Sequence, residues 1–284
     1  MEQFAINPAT VPSERNLVPV RTSCNGSVTV ARDRLEQKYA QLLCERLDLG
    51  KLVSYVGNKR TPLLRLYRYK EAFSLEFVKL LIRDFELDAN DLLFDPFAGM
   101  GTTLFGAWTQ GIPSYGIDRL PIAAFVARTL PSLVHLRSGD ILTSYRRLLS
   151  EVGSAEPAPI ADDVRIIPLA FPPAALVRLR RWKTCIQRLQ QPLRDVMLLL
   201  LYAILDEVSY TSKDGQFLRL NRSRRPKTPD VALRRKCEEA EEDLWALHNG
   251  MLGDPQVLRS TRPQVVCGDT CAAEGITLPQ PAST

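Results

Sequence analysis

The spacing of apolar residues along the chain changes character more than once, and each change marks an element. Residues 1–30 are polar with scattered prolines and no period, the pattern of a loose arm. In ARDRLEQKYAQLLCERLDL (31–49), Leu35, Tyr39, Leu42, Leu43 and Leu47 recur at helical spacing and predict an amphipathic helix. The next stretch, VGNKRTPLLRLYRYKEAF, is irregular, basic and aromatic. Ser74 is placed to cap a second helix, LEFVKLLIRDFEL, in which Phe77, Val78, Leu81, Ile82 and Phe85 share a face. From residue 91 the pattern shortens. DLLFDP reads as an apolar strand, TTLFGAWTQ as a helix stopped by Gly111, SYGID as a second strand, and LPIAAFVARTL as a helix with Pro121 in its first turn. Strand, helix, strand, helix at this pitch predicts a parallel α/β unit.

A Pro/Ala-rich stretch, GSAEPAPIADD (153–163), reads as a linker. Three helical patterns follow: AALVRLRRWKTCIQRLQ, LRDVMLLLLYAILDEVSY and VALRRKCEEAEEDLWALHN. Between the last two lies a basic loop or hairpin, TSKDGQFLRLNRSRRPKTP, and QVVCGD then returns to a strand. Four regions are expected: an arm and helix (1–48), the first part of an α/β core (49–150), a helical basic insertion (151–262), and a third core strand with the end of the chain (263–284).

Composition narrows the class. Apolar residues make up 45% of the chain and charged residues 24%, ordinary for a globular protein. Net charge is +5, but between residues 174 and 236 there are 15 Lys/Arg against 5 Asp/Glu. A basic block on a mildly acidic body suggests a polyanionic partner, with a solvated helix face as the plainer alternative. The six cysteines (24, 44, 185, 237, 267 and 271) lack framework spacing, and with only two histidines no metal site is expected. Free, mostly buried thiols in a reducing compartment fit better. The first residues, MEQFAINPATVPSER, do not read as a signal peptide, and the longest apolar run, 196–205, is about half the ~20 residues of a membrane span. A cytoplasmic protein without membrane contact is expected.

The most informative stretch is LLFDPFAGMGTT (92–103). A strand that ends in DPFAGMG and feeds a helix puts glycines where the backbone turns sharply and where a ligand comes close. The helix behind it offers unpaired N–H groups to a negative charge. A phosphate loop needs GxxxxGK[ST], and no lysine follows Gly101. A dinucleotide fingerprint needs GxGxxG, and Leu104 stands where its third glycine would be. S-adenosylmethionine is the remaining class, its methionine end lying across the turn. Asp118 ends the second strand, where a carboxylate accepts ribose hydroxyls, and Asp269 ends the third, within reach of an adenine amino group.

Taken together, LLFDPFAGMGTTLFGAW and SYGIDRLPIAAFVA resemble the cofactor half of the DNA methyltransferases that modify exocyclic amino groups, N6 of adenine or N4 of cytosine. The cofactor loop of that family typically reads DPFxGxGTT, closely matched by Asp95, Pro96, Phe97, Ala98, Gly99, Met100, Gly101, Thr102 and Thr103. The resemblance implies that this backbone cradles the methionine end of S-adenosylmethionine, that Asp118 takes the ribose and that Asp269 takes the adenine. YRYKEAFS (67–74) resembles the segment before the loop in such enzymes, which would put Phe73 and Ser74 in the methionine pocket. SYTSKDGQFLR is similar to an insertion in some members. The expected fold is therefore α/β, an incomplete Rossmann-like methyltransferase sheet of the first three strands with a helical insertion.

Family members hold a flipped-out base with a [DNS]PP[YFW] segment. The nearest match is FPPA (171–174), which lacks both the polar first residue and the aromatic last one and sits at a helix start. No catalytic residue is assigned. In the family's strand order a fourth strand lies beside the first, so a sheet of three leaves a central edge unpaired. The expectation is a split methyltransferase completed by a second subunit that carries the clamp; a truncated gene product is the alternative.

Double-stranded DNA is the expected substrate. Lys213, Arg219, Arg222, Arg224, Arg225 and Lys227 are the expected contacts, with Arg178, Arg180, Arg181 and Lys183 extending the same face. Two other readings stay open: an RNA methyltransferase acting on a guanine amino group, and a non-catalytic DNA-binding protein that keeps the fold.

Overall fold

The computed structural model describes residues 29–42, 46–160, 164, 166–214 and 217–272. The chain divides into two compact units, residues 1–53 and 54–284. In the first, α1 (Thr29–Tyr39) gives way to tight turns at Ala40–Leu42 and Leu47–Lys51. The helix predicted to reach residue 49 thus ends ten residues early. Leu35, Tyr39, Leu42 and Leu47 are all exposed, and a helix this short needs its apolar stripe packed in order to extend. Leu43 lies outside the described residues.

The second unit runs α2 (Leu75–Asp84), β1 (Leu93–Asp95), α3 (Thr102–Thr109), β2 (Ser114–Asp118), α4 (Pro121–Ser132) and α5 (Asp140–Glu151). It continues through α6 (Ile166–Ala170), α7 (Pro173–Gln187), α8 (Leu193–Ala203), β3 (Thr211–Asp214), β4 (Phe217–Leu220), α9 (Pro229–His248), α10 (Pro255–Ser260) and β5 (Gln264–Cys267). Strands β1, β2 and β5 form a parallel sheet in the order β1-β2-β5, with Asp95 opposite Gly116 and Asp118 opposite Cys267. This is the α/β arrangement expected, with β2 in the middle. Helices α3 and α4 cover one face, where Leu93, Ala98, Leu104, Ala124, Ala127 and Val265 pack together.

Side chains alternate along a strand, so Phe94 and Val266 point to the other face. There they are 41% and 39% exposed. Among the described residues, β1 has a strand neighbour on one side only.

Helices α5, α7, α8 and α9 share a single core with α3 and α4, built around Trp108, Leu130, Ile141, Trp182, Leu200 and Leu244. Polar ties reinforce it. Glu241 of α9 accepts from the N–H groups of Gly139, Ile141 and Leu142 at 2.9, 2.9 and 3.0 Å, occupying the unpaired start of α5. Asp230, at the start of α9, accepts from both Arg178 and the Trp182 indole. The expected linker lies along α7, its Ala158 N–H donating to the Arg180 carbonyl. Pro172 and Pro173 open α7, the role the sequence suggests for FPPA. β3 and β4 pair as an antiparallel hairpin, Asp214 opposite Phe217; Gly215 lies outside the described residues, as do 1–28 and 273–284.

Cys185 and Cys237 are buried free thiols, and burial raises both above the usual thiol range. Cys267 and Cys271 are exposed, so the expectation of mostly buried thiols holds for two of the four described. Among the described residues there is no cluster of metal-ligating side chains, and no helix is long and apolar enough to cross a membrane.

Candidate functional site

The loop between β1 and α3 is fixed from both sides. Asp95 accepts from the Phe97 N–H at 3.0 Å, the Ala98 N–H donates to the Ile117 carbonyl at 2.9 Å, and the Thr270 hydroxyl donates to the Pro96 carbonyl at 2.6 Å. These bonds gather the C-terminal ends of all three strands at one lip.

The two loop glycines answer different demands. Gly101 has φ +87°, and a Cβ there would lie 2.8 Å from the Ala127 Cβ of α4. Its bareness lets α3 start against α4. Gly99 has φ +54° with only the Tyr69 ring near its missing Cβ, at 3.5 Å. A side chain there would meet the Tyr69 ring at ordinary contact distance and no backbone.

Asp118 is half-buried, and both its oxygens are engaged: one accepts from the Gly99 N–H at 2.7 Å, the other from the Leu120 N–H at 2.8 Å. A carboxylate has about four lone-pair sites, so room remains for two hydroxyl donors. Asp269 is exposed, accepts from the Cys271 N–H at 3.0 Å, and has Arg119 at 3.8 Å. Thr102, in the first turn of α3, is 3% exposed, and its hydroxyl has no hydrogen-bond partner. A buried polar atom left unpaired costs free energy unless something occupies the site.

Phe73 and Ser74 serve the start of α2. Ser74 is 3% exposed and accepts from the Phe77 N–H at 3.2 Å, while Phe73 packs edge-on to Phe77 within the cluster formed by Val78, Ile82, Ala107 and Ile112. Asn58 clamps this turn, donating to the Phe73 carbonyl and accepting from the Leu75 N–H, both at 2.9 Å. The residue of YRYKEAFS that stands over the loop is Tyr69, which the sequence reading does not single out. Burial first, and then the Asp118 charge, raise its phenol above the usual range.

On the basic side, the expected residues divide by partner. Arg224 reaches Asp206 at 3.3 Å and the Thr211 carbonyl, and so latches the hairpin; Lys227 pairs with Glu207 at 2.8 Å. Arg222 and Arg225 are exposed, with no carboxylate partner among the described residues, and Arg219 is exposed on β4. The side chain of Lys213 lies outside the described residues. A cavity of about 400 Å³ is lined by Glu207, Arg224, Arg225, Lys227 and Arg235. Arg178, Arg180 and Arg181 do not extend this face as free cations: they bind Asp230 and the carbonyls of Ala158 and Gly153.

Sequence comparison points the same way as the loop. Type II methyltransferase M.BsoBI of Geobacillus stearothermophilus is 34% identical over 194 residues, which are 67% of this chain and 38% of that protein. The chain is similar to type II DNA methyltransferases over two thirds of its own length. Type II methyltransferase M.AvaI of Nostoc sp. is 33% identical over 193 residues, 65% of this chain and 39% of its own length; M.AvaI of Anabaena variabilis matches to the same extent. The chain spans under two-fifths of the length of the curated relatives it matches. No family model and no solved structure matches it.

The cofactor of such methyltransferases is S-adenosylmethionine, and the lip fits it. A bare Gly99, the orphan Thr102 hydroxyl at a helix start and two strand-end carboxylates match the donors and acceptors of that molecule.

Proposed function

We propose that this chain is the S-adenosylmethionine-binding part of a type II DNA methyltransferase that transfers a methyl group to an exocyclic base amino group, N6 of adenine or N4 of cytosine. The convergence of the 95–102 loop, Asp118 and Asp269 on one lip carries this reading. The backbone of Pro96, Phe97, Ala98 and Gly99 cradles the methionine end, and the α3 start with Thr102 receives its carboxylate. Asp95 holds the turn, Asp118 accepts from the ribose, and Asp269 accepts from the adenine. Phe73 and Ser74 support this pocket through the start of α2. Arg219, Arg222 and Arg225 meet DNA phosphates, together with Lys213, while Arg224 and Lys227 hold the hairpin that presents them.

The base-gripping [DNS]PP[YFW] segment comes from outside these 284 residues, on a second subunit whose strand pairs with the outer edge of β1. Among the described residues β1 has no strand on its outer side, and Phe94 and Val266 are exposed while Tyr115 and Ile117 on the same face are buried; a further strand beside β1 would complete that cover, as is usual for a parallel sheet. Titration calorimetry of the chain with S-adenosylmethionine tests the first part. Asp118→Ala is expected to lower affinity by roughly tenfold or more, the loss of hydrogen bonds to a charged group worth about 1.5–3 kcal/mol. Co-expression with a clamp-bearing polypeptide, followed by transfer of labelled methyl groups to duplex DNA, tests the second. Methylation of DNA by the 284-residue chain alone would refute the second subunit, and unaltered cofactor binding by Asp118→Ala would refute the site.

A further inference from the structure

A second groove opens beside the cofactor lip, lined by residues outside the hairpin and, Met100 apart, outside the cofactor loop. It has a volume of about 370 Å³ and runs from Tyr55, Lys59 and Arg68 at one end to Tyr67, Tyr69 and Met100 at the other. Met100 belongs to the cofactor loop and Tyr69 stands over Gly99, so the inner end adjoins the place assigned to the methyl donor. Glu207 and Arg235 line both this groove and the cavity by Arg224 and Lys227, so the two are neighbours.

The outer end carries uncommitted charge. The Arg68 guanidinium donates to the Tyr55 hydroxyl at 3.1 Å and lies 5.9 Å from that ring's centre, while the Lys59 ammonium sits 5.1 Å from it. Lys59 and Arg68 are exposed and have no carboxylate partner among the described residues, whereas Arg65, Arg235 and Lys236 along the same groove are all ion-paired. The Arg68 hydrogen bond lowers the Tyr55 phenol below its usual range, in keeping with an excess of positive charge.

The segment is also held rigid. Asp243 of α9, 1% exposed, accepts from the Leu63 N–H at 2.7 Å and from Arg65 at 2.7–2.9 Å, and Leu63 itself is held at φ +65°. Rigid aromatic rings interleaved with free cations, in a groove that ends at a reactive centre, match the chemistry of a nucleic-acid strand. Phosphates meet the cations and bases meet the rings.

We propose that this groove takes the DNA strand carrying the target nucleotide, with Lys59 and Arg68 on its phosphates, Tyr55 against a flanking base and Tyr67 and Tyr69 facing the base turned toward the cofactor lip. The inference rests on the DNA methyltransferase reading above and adds a contact surface distinct from the hairpin. Two outer-end variants test it, in the full chain assembled with its clamp-bearing subunit. Lys59→Ala/Arg68→Ala is expected to flatten the dependence of log K on log salt by about 1.8 for duplex DNA, two phosphates at about 0.9 each. Tyr55→Ala is expected to weaken binding to a duplex with an abasic site opposite the target base by roughly 5- to 150-fold, the range for one lost base stack. Tyr55→Phe is expected to keep most of that binding. Calorimetric S-adenosylmethionine affinity and thermal melting should match wild type in every variant.

Wild-type DNA binding with an unchanged slope and affinity in Lys59→Ala/Arg68→Ala would overturn the groove and leave the methyltransferase reading intact. A wild-type assembly that binds structured RNA but not duplex DNA would overturn both.

Discussion

Gly99 and Gly101 provide the sharpest test of the cofactor loop, because the structure assigns the same residue type two different jobs two positions apart. An alanine at 101 must hold φ +87°, a conformation that costs an L-residue about 1–2 kcal/mol. Its Cβ would also sit 2.8 Å from the Ala127 Cβ and 3.2 Å from its Cα, against an ordinary carbon contact of about 3.5–4.0 Å. Neither atom is the end of a flexible side chain, so α4 has to move, and such overpacking costs about 1–3 kcal/mol more. The sum is roughly 2–5 kcal/mol. At about 2–4 °C per kcal/mol for a chain of this class, Gly101→Ala should lower Tm by roughly 4–20 °C.

Gly99→Ala shares the backbone term, since φ is +54°, but its Cβ would meet only the Tyr69 ring at 3.5 Å. It should melt roughly 2–8 °C below wild type. Its methyl group would nevertheless project over the lip, so S-adenosylmethionine affinity should fall at least about tenfold, or 1.4 kcal/mol. Melting by circular dichroism and titration calorimetry on the two variants give four numbers. The reasoning fails if Gly101→Ala melts like wild type, or if Gly99→Ala binds the cofactor at wild-type strength.

Three further outcomes follow from particular contacts. Asp243→Ala leaves the buried Leu63 N–H without its acceptor and takes from Arg65 the buried one of its three carboxylate partners, and should cost about 2 kcal/mol by chemical denaturation; a loss under about 0.5 kcal/mol would show that the 54–69 segment is anchored elsewhere. Arg68→Ala removes the hydrogen bond that depresses the Tyr55 phenol, so that phenol should ionise at higher pH than in the parent; ultraviolet titration with Tyr55→Phe subtracted reads the shift, and no upward movement would refute the contact. On the two-subunit proposal, Phe94→Lys, at a side chain that is 41% exposed, should leave the isolated chain within about 0.5 kcal/mol of wild type while preventing assembly with the proposed clamp-bearing subunit; normal assembly would argue against a partner over Phe94.

What the sequence reveals follows from how local each cause is. The strands, their order and the lip are legible because DPFAGMG, SYGID and VVCGD each state their turn within a few residues, and right-handed crossovers leave few ways to join them. α5 is much harder to read. Its buried stripe of Ile141, Tyr145 and Leu148 is plain enough, but its start is capped by Glu241, some hundred residues further along the chain. Tyr69 escapes for the same reason: nothing in YRYKEAFS says which aromatic ends up over Gly99, since that depends on the anchoring of 54–69 to α9. Arg224 and Lys227 look identical in sequence to Arg222 and Arg225, and only the positions of Asp206 and Glu207 separate latch from contact.

The mismatch at α2 is instructive in the opposite direction. Its sequence stripe includes Leu81 and Phe85, yet the described fold buries Leu75, Val78 and Ile82 and leaves Leu81 37% and Phe85 70% exposed. Phe94 on β1 and Phe97 just after it are likewise 41% and 75% exposed. An apolar pattern reflects what the working molecule buries, and single exposed apolar residues are ordinary. A strand interior is different, because a phenylalanine in the middle of a parallel strand is normally covered from both sides. Among the described residues, Phe94 and the outer edge of β1 thus share one gap in cover, and the strand proposed above would close both.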